Sequence, residues 1–374
     1  MKSLFKLRGE LTKIQSIILG IVGLLILITA WWLLAEAKSE RYPINFTPRE
    51  LPSSLGADST VFATIDSLTR LDSIDLANAK DFKKVYPTIP TPMATVMSYP
   101  ALIKKDKLLP NAWFSIWLNL RGYFWALMIS IPIGFVLGLF PLFRGMFKGQ
   151  VDALRFLPLT ALIGTFMAFY GVTGDTMKIA FLAFGIMVYL LPVVVQRINE
   201  VKDVYLKTVF TLGATDWQTI KSVYIPSVMS RVMDDIRVLT AISWTYIIIA
   251  ELLGSTQGLG RLTWLSQKTG QTEKVFAILL IFILIGFVQD RIFAYIDRRL
   301  FPYKYSNLRP AGIMETQYGI AAILGGVVIG LLLLLVMPNA TWIMSSLMPI
   351  MALTGLIFIL YGEFKIFTSK KTVA

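Results

Sequence analysis

The chain has 374 residues, of which 55% are hydrophobic and only 16% charged, with a formal net charge of +13. A soluble domain carries about 25% charged residues, so the composition excludes an ordinary water-soluble fold. Lys and Arg cluster beside apolar runs, which marks membrane topology rather than nucleic-acid binding. The chain has no Cys and no His, which excludes disulfides, thiolate metal sites and imidazole acid–base chemistry.

The N-terminus, Met1–Lys13, is basic and leads into an apolar run over 14–35 that ends beyond Trp31 and Trp32. That run is too long for a signal peptide and lacks a small-residue cleavage site, so it reads as a retained first transmembrane helix. A long segment, 36–112, follows. Its middle, Asp58–Lys84, mixes acidic, basic and apolar residues and predicts one or two short surface helices. Further apolar runs lie at 117–142, 156–172, 177–195, 233–254, 275–296, 318–337 and 343–362. Each approaches the ~20 helical residues that cross a ~30 Å hydrocarbon core. The 156–172 run contains Pro158, Gly164 and Gly171, residues that membrane helices tolerate when packed neighbours re-satisfy the backbone.

Basic residues gather at alternate connections: at the N-terminus, near Arg144–Arg155, over Arg197–Arg231, over Arg291–Arg309, and in the tail from Lys365. By the positive-inside rule this places those connections in the cytoplasm. The expected fold is therefore all-α, a polytopic transmembrane bundle of about eight spans with both termini cytoplasmic. It divides into 1–35, the extracytoplasmic 36–112 with an inserted region at 41–86, a core at 113–300, a cytoplasmic linker at 301–317, and a C-terminal hairpin with basic tail at 318–374.

The connection 197–232 is far longer than the few residues a helical hairpin needs. Val204–Phe210 reads as a short helix with one apolar face, Gly213 breaks it, and Trp217, Ile220, Val223 and Tyr224 recur at helical spacing up to Pro226. Two short amphipathic helices at an angle suit either a docking surface or helices lying along the lipid headgroups.

Thr211-Leu212-Gly213-Ala214-Thr215-Asp216-Trp217-Gln218 and Val223-Tyr224-Ile225-Pro226 resemble the cytoplasmic loop of binding-protein-dependent ABC importer permeases. The likeness runs from about Pro87 to Leu300, through Pro90–Val96, Gly122-Tyr123, Ile131–Gly134, Ala250–Gly254 and Gly258-Leu259-Gly260, which are similar to the nitrate/sulfonate/taurine-type subfamily. It departs where the family's Glu-Ala-Ala triplet is Lys207-Thr208-Val209, and where a family Arg is Leu118 with Arg121 three residues on. The resemblance implies a six-helix core in a bacterial inner (cytoplasmic) membrane; the insertion at 41–86 and the additional C-terminal hairpin lie outside the family's six-helix pattern. The resemblance implies a coupling loop at 197–232 with Leu206, Lys207, Phe210, Gly213, Ala214, Trp217, Ile225 and Pro226 as its contact residues. It also implies partners: a second permease subunit (the same chain or a related one), two ABC ATPase subunits that bind ATP and Mg, a periplasmic or lipid-anchored solute-binding protein, and membrane lipids. No cofactor is expected in this chain. The solute is a small one, with an anion such as nitrate, sulfonate or bicarbonate as one candidate.

Arg121, Ser243, Trp244 and Glu251 are the candidates for lining or gating the translocation path. Each has a plainer reading: interfacial anchor for Arg121, helix packing for Ser243 and Trp244, structural hydrogen bonding for Glu251. No phosphate-binding G-x-x-x-x-G-K-[ST] stretch occurs, so nucleotide chemistry is expected in another chain and this one is not expected to be an enzyme. The competing class is an ion-coupled secondary transporter or channel, which would need several mid-membrane carboxylates or paired broken helices.

Overall fold

The computed structural model describes residues 11–43, 67–71, 82–172, 174–252, 255–305, 311–336 and 341–373. Most of the inserted region expected at 41–86 lies outside the described residues, although 67–71 is helical. Helix α1 (Lys13–Ala37) is followed by strands β1 (Glu40–Pro43) and β2 (Phe82–Val85), then α2 (Pro92–Lys104) and α3 (Leu108–Leu139). Next come α4 (Pro141–Leu154), a 3-10 turn at Leu159–Leu162, α5 (Ile163–Tyr170) and α6 (Asp175–Asn199). The long connection holds α7 (Asp203–Thr211) and α8 (Asp216–Thr219), and a π-turn at Ile220–Tyr224 joins α8 to α9 (Ile225–Leu252). The chain closes with α10 (Leu259–Lys268), α11 (Thr272–Leu300), a 3-10 turn at Pro302–Lys304, α12 (Ile313–Val336) and α13 (Thr341–Val373).

Two compact units result. The first comprises Met1–Lys107 and Thr263–Leu279. In it α1 starts at a capping box, Thr12 with Gln15. None of its most apolar 18-residue window is buried, which suits a helix surrounded by lipid. It is fastened near its end by Trp31, whose Nε1 donates to Pro90 O at 3.0 Å and whose ring stacks on Phe276 at 5.8 Å. The ribbon pairs Glu40 with Val85 in antiparallel register. Helix α2 begins where Thr91 Oγ1 accepts from Ala94 N at 3.2 Å, with Pro92 in the first turn, where its missing N–H is harmless. Tyr99 Oη donates to Ala277 O at 3.1 Å, and Lys274 meets Asp106 at 2.6 Å.

The second unit comprises Leu108–Leu262 and Leu280–Ala374, and its core is the α3–α6–α9 bundle. Ala126, Ile186, Leu190, Val194, Val228, Val232 and Ile236 bury together. Close approach of α3 and α6 depends on small residues: a Cβ at Gly134 would sit 2.6 Å from Val194 Cγ1, and one at Gly138 would sit 2.5 Å from Ile198 Cδ1. Small residues four apart let membrane helices pack at short range, where dispersion and weak hydrogen bonds replace the hydrophobic effect. The C-terminal helices pair the same way, Gly319 against Gly355.

Six described helices are long and apolar enough to cross a membrane, or seven if α4 and the Leu159–Tyr170 segment count as one bent span. The all-α, multi-spanning expectation stands at about that number. Two runs differ. Residues 156–172 do not form one straight span: a 3-10 turn of four residues and an eight-residue helix reach only about 20 Å at their usual rises, and the pair bends by 95° from α4. The run expected at 233–254 is the C-terminal part of a 28-residue helix starting at Ile225. The turns before that run, 225–232, include Pro226 and Arg231, so the apolar run marks only part of the helix.

Candidate functional site

Local sequence dictates the shape of the 197–232 connection. Helix α7 ends because Gly213 adopts φ +76, a left-handed conformation that favours glycine. Ala214 N donates to Val209 O at 3.1 Å and Gly213 N to Phe210 O at 3.0 Å, the paired bonds of a Schellman motif. Thr215 then restarts the helix: its Oγ1 accepts from Gln218 N at 3.3 Å, while Gln218 Oε1 accepts from Thr215 N at 2.9 Å. This reciprocal cap satisfies two otherwise orphaned amides. The corner between α7 and α8 is thus closed by backbone hydrogen bonds on one side and a side-chain cap on the other.

Pro226 does not end the second short helix, as its position in the sequence predicts. The π-turn at Ile220–Tyr224 carries the helix directly into α9, with Ile225 N reaching Ile220 O. Widening that turn lets the proline ring enter without meeting the carbonyl of the preceding turn, and such π-turns recur at functional sites.

This connection leaves apolar side chains in the open. Phe210 is 52% exposed, Leu212 80% and Trp217 69%, with Val204, Tyr205 and Ile225 also exposed. Lys207 and Gly213 are exposed among them, and Ala214 is half-buried. Leu206 differs from expectation: it packs with Val209 and Tyr224 against the core of the bundle. The inward face of α7 therefore runs through Leu206 and Val209, and the outward face carries Phe210. Leu212 was not singled out by the sequence pattern, because it follows the helix as its C-cap and escapes a periodicity test.

Helices α6, α9 and α11 are tied by ion pairs beside this connection. Arg197 forks onto Asp235 at 2.7 and 2.8 Å and reaches Glu200 at 2.7 Å, and Arg231 adds 3.2 Å to Glu200. The hydrogen bond from Arg197 holds the Glu200 carboxyl below its usual pKa. Arg237, with Asp234 and Asp235 as sequence neighbours, pairs with neither: it bonds Asp290 of α11 at 2.9 Å. Asp234 instead takes Lys304 at 2.7 Å. Burial works against the Lys304 charge, but hydrogen bonds to Asp234 and Asp297 outweigh it and raise its pKa.

The four path candidates occupy internal positions. Glu251 is fully buried, accepting from Ser115 Oγ at 2.6 Å and from Gly260 N at 2.7 Å. Ser115 Oγ accepts in turn from Leu259 N at 2.9 Å, and Asn111 Oδ1 accepts from Gly258 N at 2.8 Å. Together these groups hold the start of α10 against α3. Ser243 accepts from Asn119 Nδ2 at 3.0 Å and donates to Thr240 O at 2.7 Å. Trp244 Nε1 donates to Gln289 Oε1 at 2.8 Å. Arg121 meets Asp175 at 2.7 Å and lies over the Trp117 ring at 5.7 Å. The structure thus does not bring the four together. Each bridges a different pair of helices or holds the loop before α10. Among the described residues no group of acidic side chains is placed to hold a metal ion.

A family model described as "Binding-protein-dependent transport system inner membrane component" matches residues 107–302, more than half of the chain. A permease protein of Bacillus subtilis (strain 168) ascribed to aliphatic sulfonates transport, SsuC, is 26% identical over 58% of this chain and 79% of its own length. The taurine transport system permease protein TauC of Escherichia coli (strain K12) is 25% identical over 48% of this chain and 65% of its own length. The nitrate import permease protein NrtB of Synechococcus elongatus is 24% identical over 48% and 66%. Among solved structures, a chain of the inward-facing MetNI methionine ABC transporter aligns with TM-score 0.45 and 17% identity, over 51% of this chain and 94% of that one.

Proposed function

The chain belongs to the binding-protein-dependent transport system inner membrane component family and is a permease subunit of an ABC importer, and from that premise we propose that residues 203–226 are its contact with a separate ATPase. The observation that carries this is a rigid corner presenting unburied aromatics. Phe210, Leu212 and Trp217 are open on a segment whose turn is closed by the Gly213 and Ala214 amides and the Thr215–Gln218 cap. A segment that keeps its shape while exposing large apolar side chains fits a partner's cleft, since a few buried aromatic anchors dominate most interfaces. Lys207 stands on the same outward side, so the matching cleft is acidic there. Gly213, Ala214, Ile225 and Pro226 set the corner, and Leu206 fastens it to the bundle.

The rest of the assembly follows the family. Two permease subunits enclose the path, two ATPases that bind ATP and Mg sit on the cytoplasmic side, and a solute-binding protein delivers solute from outside a bacterial inner membrane. The basic ends of the spans then face the cytoplasm. Relatives carrying the names of sulfonate, taurine and nitrate permeases support a small anionic or zwitterionic solute. The bonds made by Ser243 and Glu251 favour a part in holding the bundle over a part in gating, and the Asp175 pair of Arg121 favours an anchor. The test is co-purification of the tagged permease with a candidate ABC ATPase subunit. Phe210→Asp should abolish the complex while leaving the permease folded, since Phe210 contributes nothing to the core. Retention of the ATPase by a folded Phe210→Asp variant would overturn the assignment.

A further inference from the structure

The C-terminal hairpin lies outside the matched region, yet its polar residues reach the coupling segment through a short chain of bonds. The last carbonyls of any helix lack intrahelical partners. Those of α11 are met by the hairpin: Gln317 Nε2 donates to Arg299 O at 2.9 Å and to Leu300 O at 3.3 Å. From α13, Glu363 accepts from Tyr295 Oη at 2.7 Å and from Arg299 Nη2 at 2.6 Å. A carboxylate, a guanidinium, a phenol and an amide therefore fix the end of α11 to both helices of the hairpin.

Immediately after that end the chain turns across to the coupling segment. Pro302 is buried. Tyr303 Oη donates to Pro226 O at 2.7 Å. Lys304 Nζ donates to Ser230 O at 3.1 Å, to Asp234 at 2.7 Å and to Asp297 at 3.2 Å. Asp297 is fully buried and also accepts from the Tyr305 hydroxyl. Pro226 lies just past a π-turn, where its own ring leaves the backbone with fewer internal bonds. An outside donor at its carbonyl is well placed to set the angle at which the α7–α8 corner leaves α9.

We propose that Phe301–Tyr305 is a strap that sets the angle of the coupling segment, with Tyr303 and Lys304 as positioning residues, and that the C-terminal hairpin tensions this strap through Gln317 and Glu363. The proposal rests on 203–226 being the coupling segment. It makes the hairpin a controller of coupling rather than a passive addition at the lipid face.

Removing Lys304 alone would leave Asp297 buried without its counter-charge and endanger folding, so the test uses milder changes. Tyr303→Phe removes the hydroxyl that donates to Pro226 O and keeps the ring. The double variant Lys304→Gln with Asp297→Asn removes both charges while keeping shape. Hydrogen–deuterium exchange of the full-length permease in lipid nanodiscs should show amides of 203–226 exchanging about tenfold faster in each. Glu363→Gln should give a smaller acceleration in the same amides, and exchange at 255–260 should stay as in the native chain. Unchanged exchange at 203–226 in Tyr303→Phe and in the double variant overturns the strap. Acceleration there but not in Glu363→Gln overturns the role of the hairpin. An equal rise at 255–260 indicates general loosening and also overturns positioning. Because exchange is read without the ATPase, loss of the strap and loss of the ATPase contact give different results.

Discussion

The two ends of the α3–α6–α9 bundle use opposite strategies. At the Glu251 end, polar groups are buried and each finds a partner: Glu251 with Ser115 and Gly260, Ser115 with Leu259, Asn111 with Gly258. At the other end, the turn between α7 and α8 is closed by its own hydrogen bonds and leaves Phe210, Leu212 and Trp217 uncovered. Buried polar groups with complete bonding fix one geometry, because any break leaves a donor or acceptor desolvated. Exposed aromatics on a fixed corner contribute little to this chain's own stability. The first end holds the bundle together, and the second leaves large apolar side chains uncovered.

The sharpest way to break this comparison is to remove the acceptor at the scaffold end. Glu251→Ala leaves Gly260 N and the Ser115 hydroxyl without their partner in a buried site. Each such orphan costs about 1–3 kcal/mol, so this variant should show a large drop in melting temperature by intrinsic Trp fluorescence in detergent. Glu251→Gln keeps an acceptor for Gly260 and should recover most of it. A melting temperature unchanged in Glu251→Ala would remove the distinction between the two ends. A smaller effect is expected from Gly213→Val. A β-branched residue at φ +76 carries a strain of about 1–2 kcal/mol, but the corner has open space around Gly213. Melting should therefore stay nearly native while substrate-stimulated ATP hydrolysis in proteoliposomes falls. A melting loss as large as that of Glu251→Ala would place the corner with the scaffold.

Much of this architecture is written in hydropathy. The spans at α1, α6, α11 and α12 stand out because long uncharged runs have few other uses. The sequence displays Arg231, Asp234, Asp235 and Arg237 of α9 but not their partners beside α6, on α11 and on the strap, so the start of that helix at Ile225 is not legible. Hydropathy also cannot see the bend that divides 156–172 from a straight span. In the 203–226 segment, the Gly213 break and the two short helices are legible from glycine conformation and periodicity, and the Thr215–Gln218 cap follows a recognisable spacing. Which face of α7 turns inward is not legible from α7 alone, and so Leu206 joined the exposed set although it packs on the core. The strap is invisible in sequence because Tyr303 and Pro226 are 77 residues apart, and nothing local to either marks the other.

The central claim is that the exposed corner meets an ATPase. The chain has no cysteine of its own, so a single photoactivatable or thiol-reactive probe at position 217 reports on that contact without background. In native membranes, a probe replacing Trp217 should cross-link to a chain carrying a nucleotide-binding fold, whereas one replacing the exposed Leu353 of α13 should not. Cross-links from position 217 to lipid alone, with none to an ATPase in transport-competent membranes, would contradict the account.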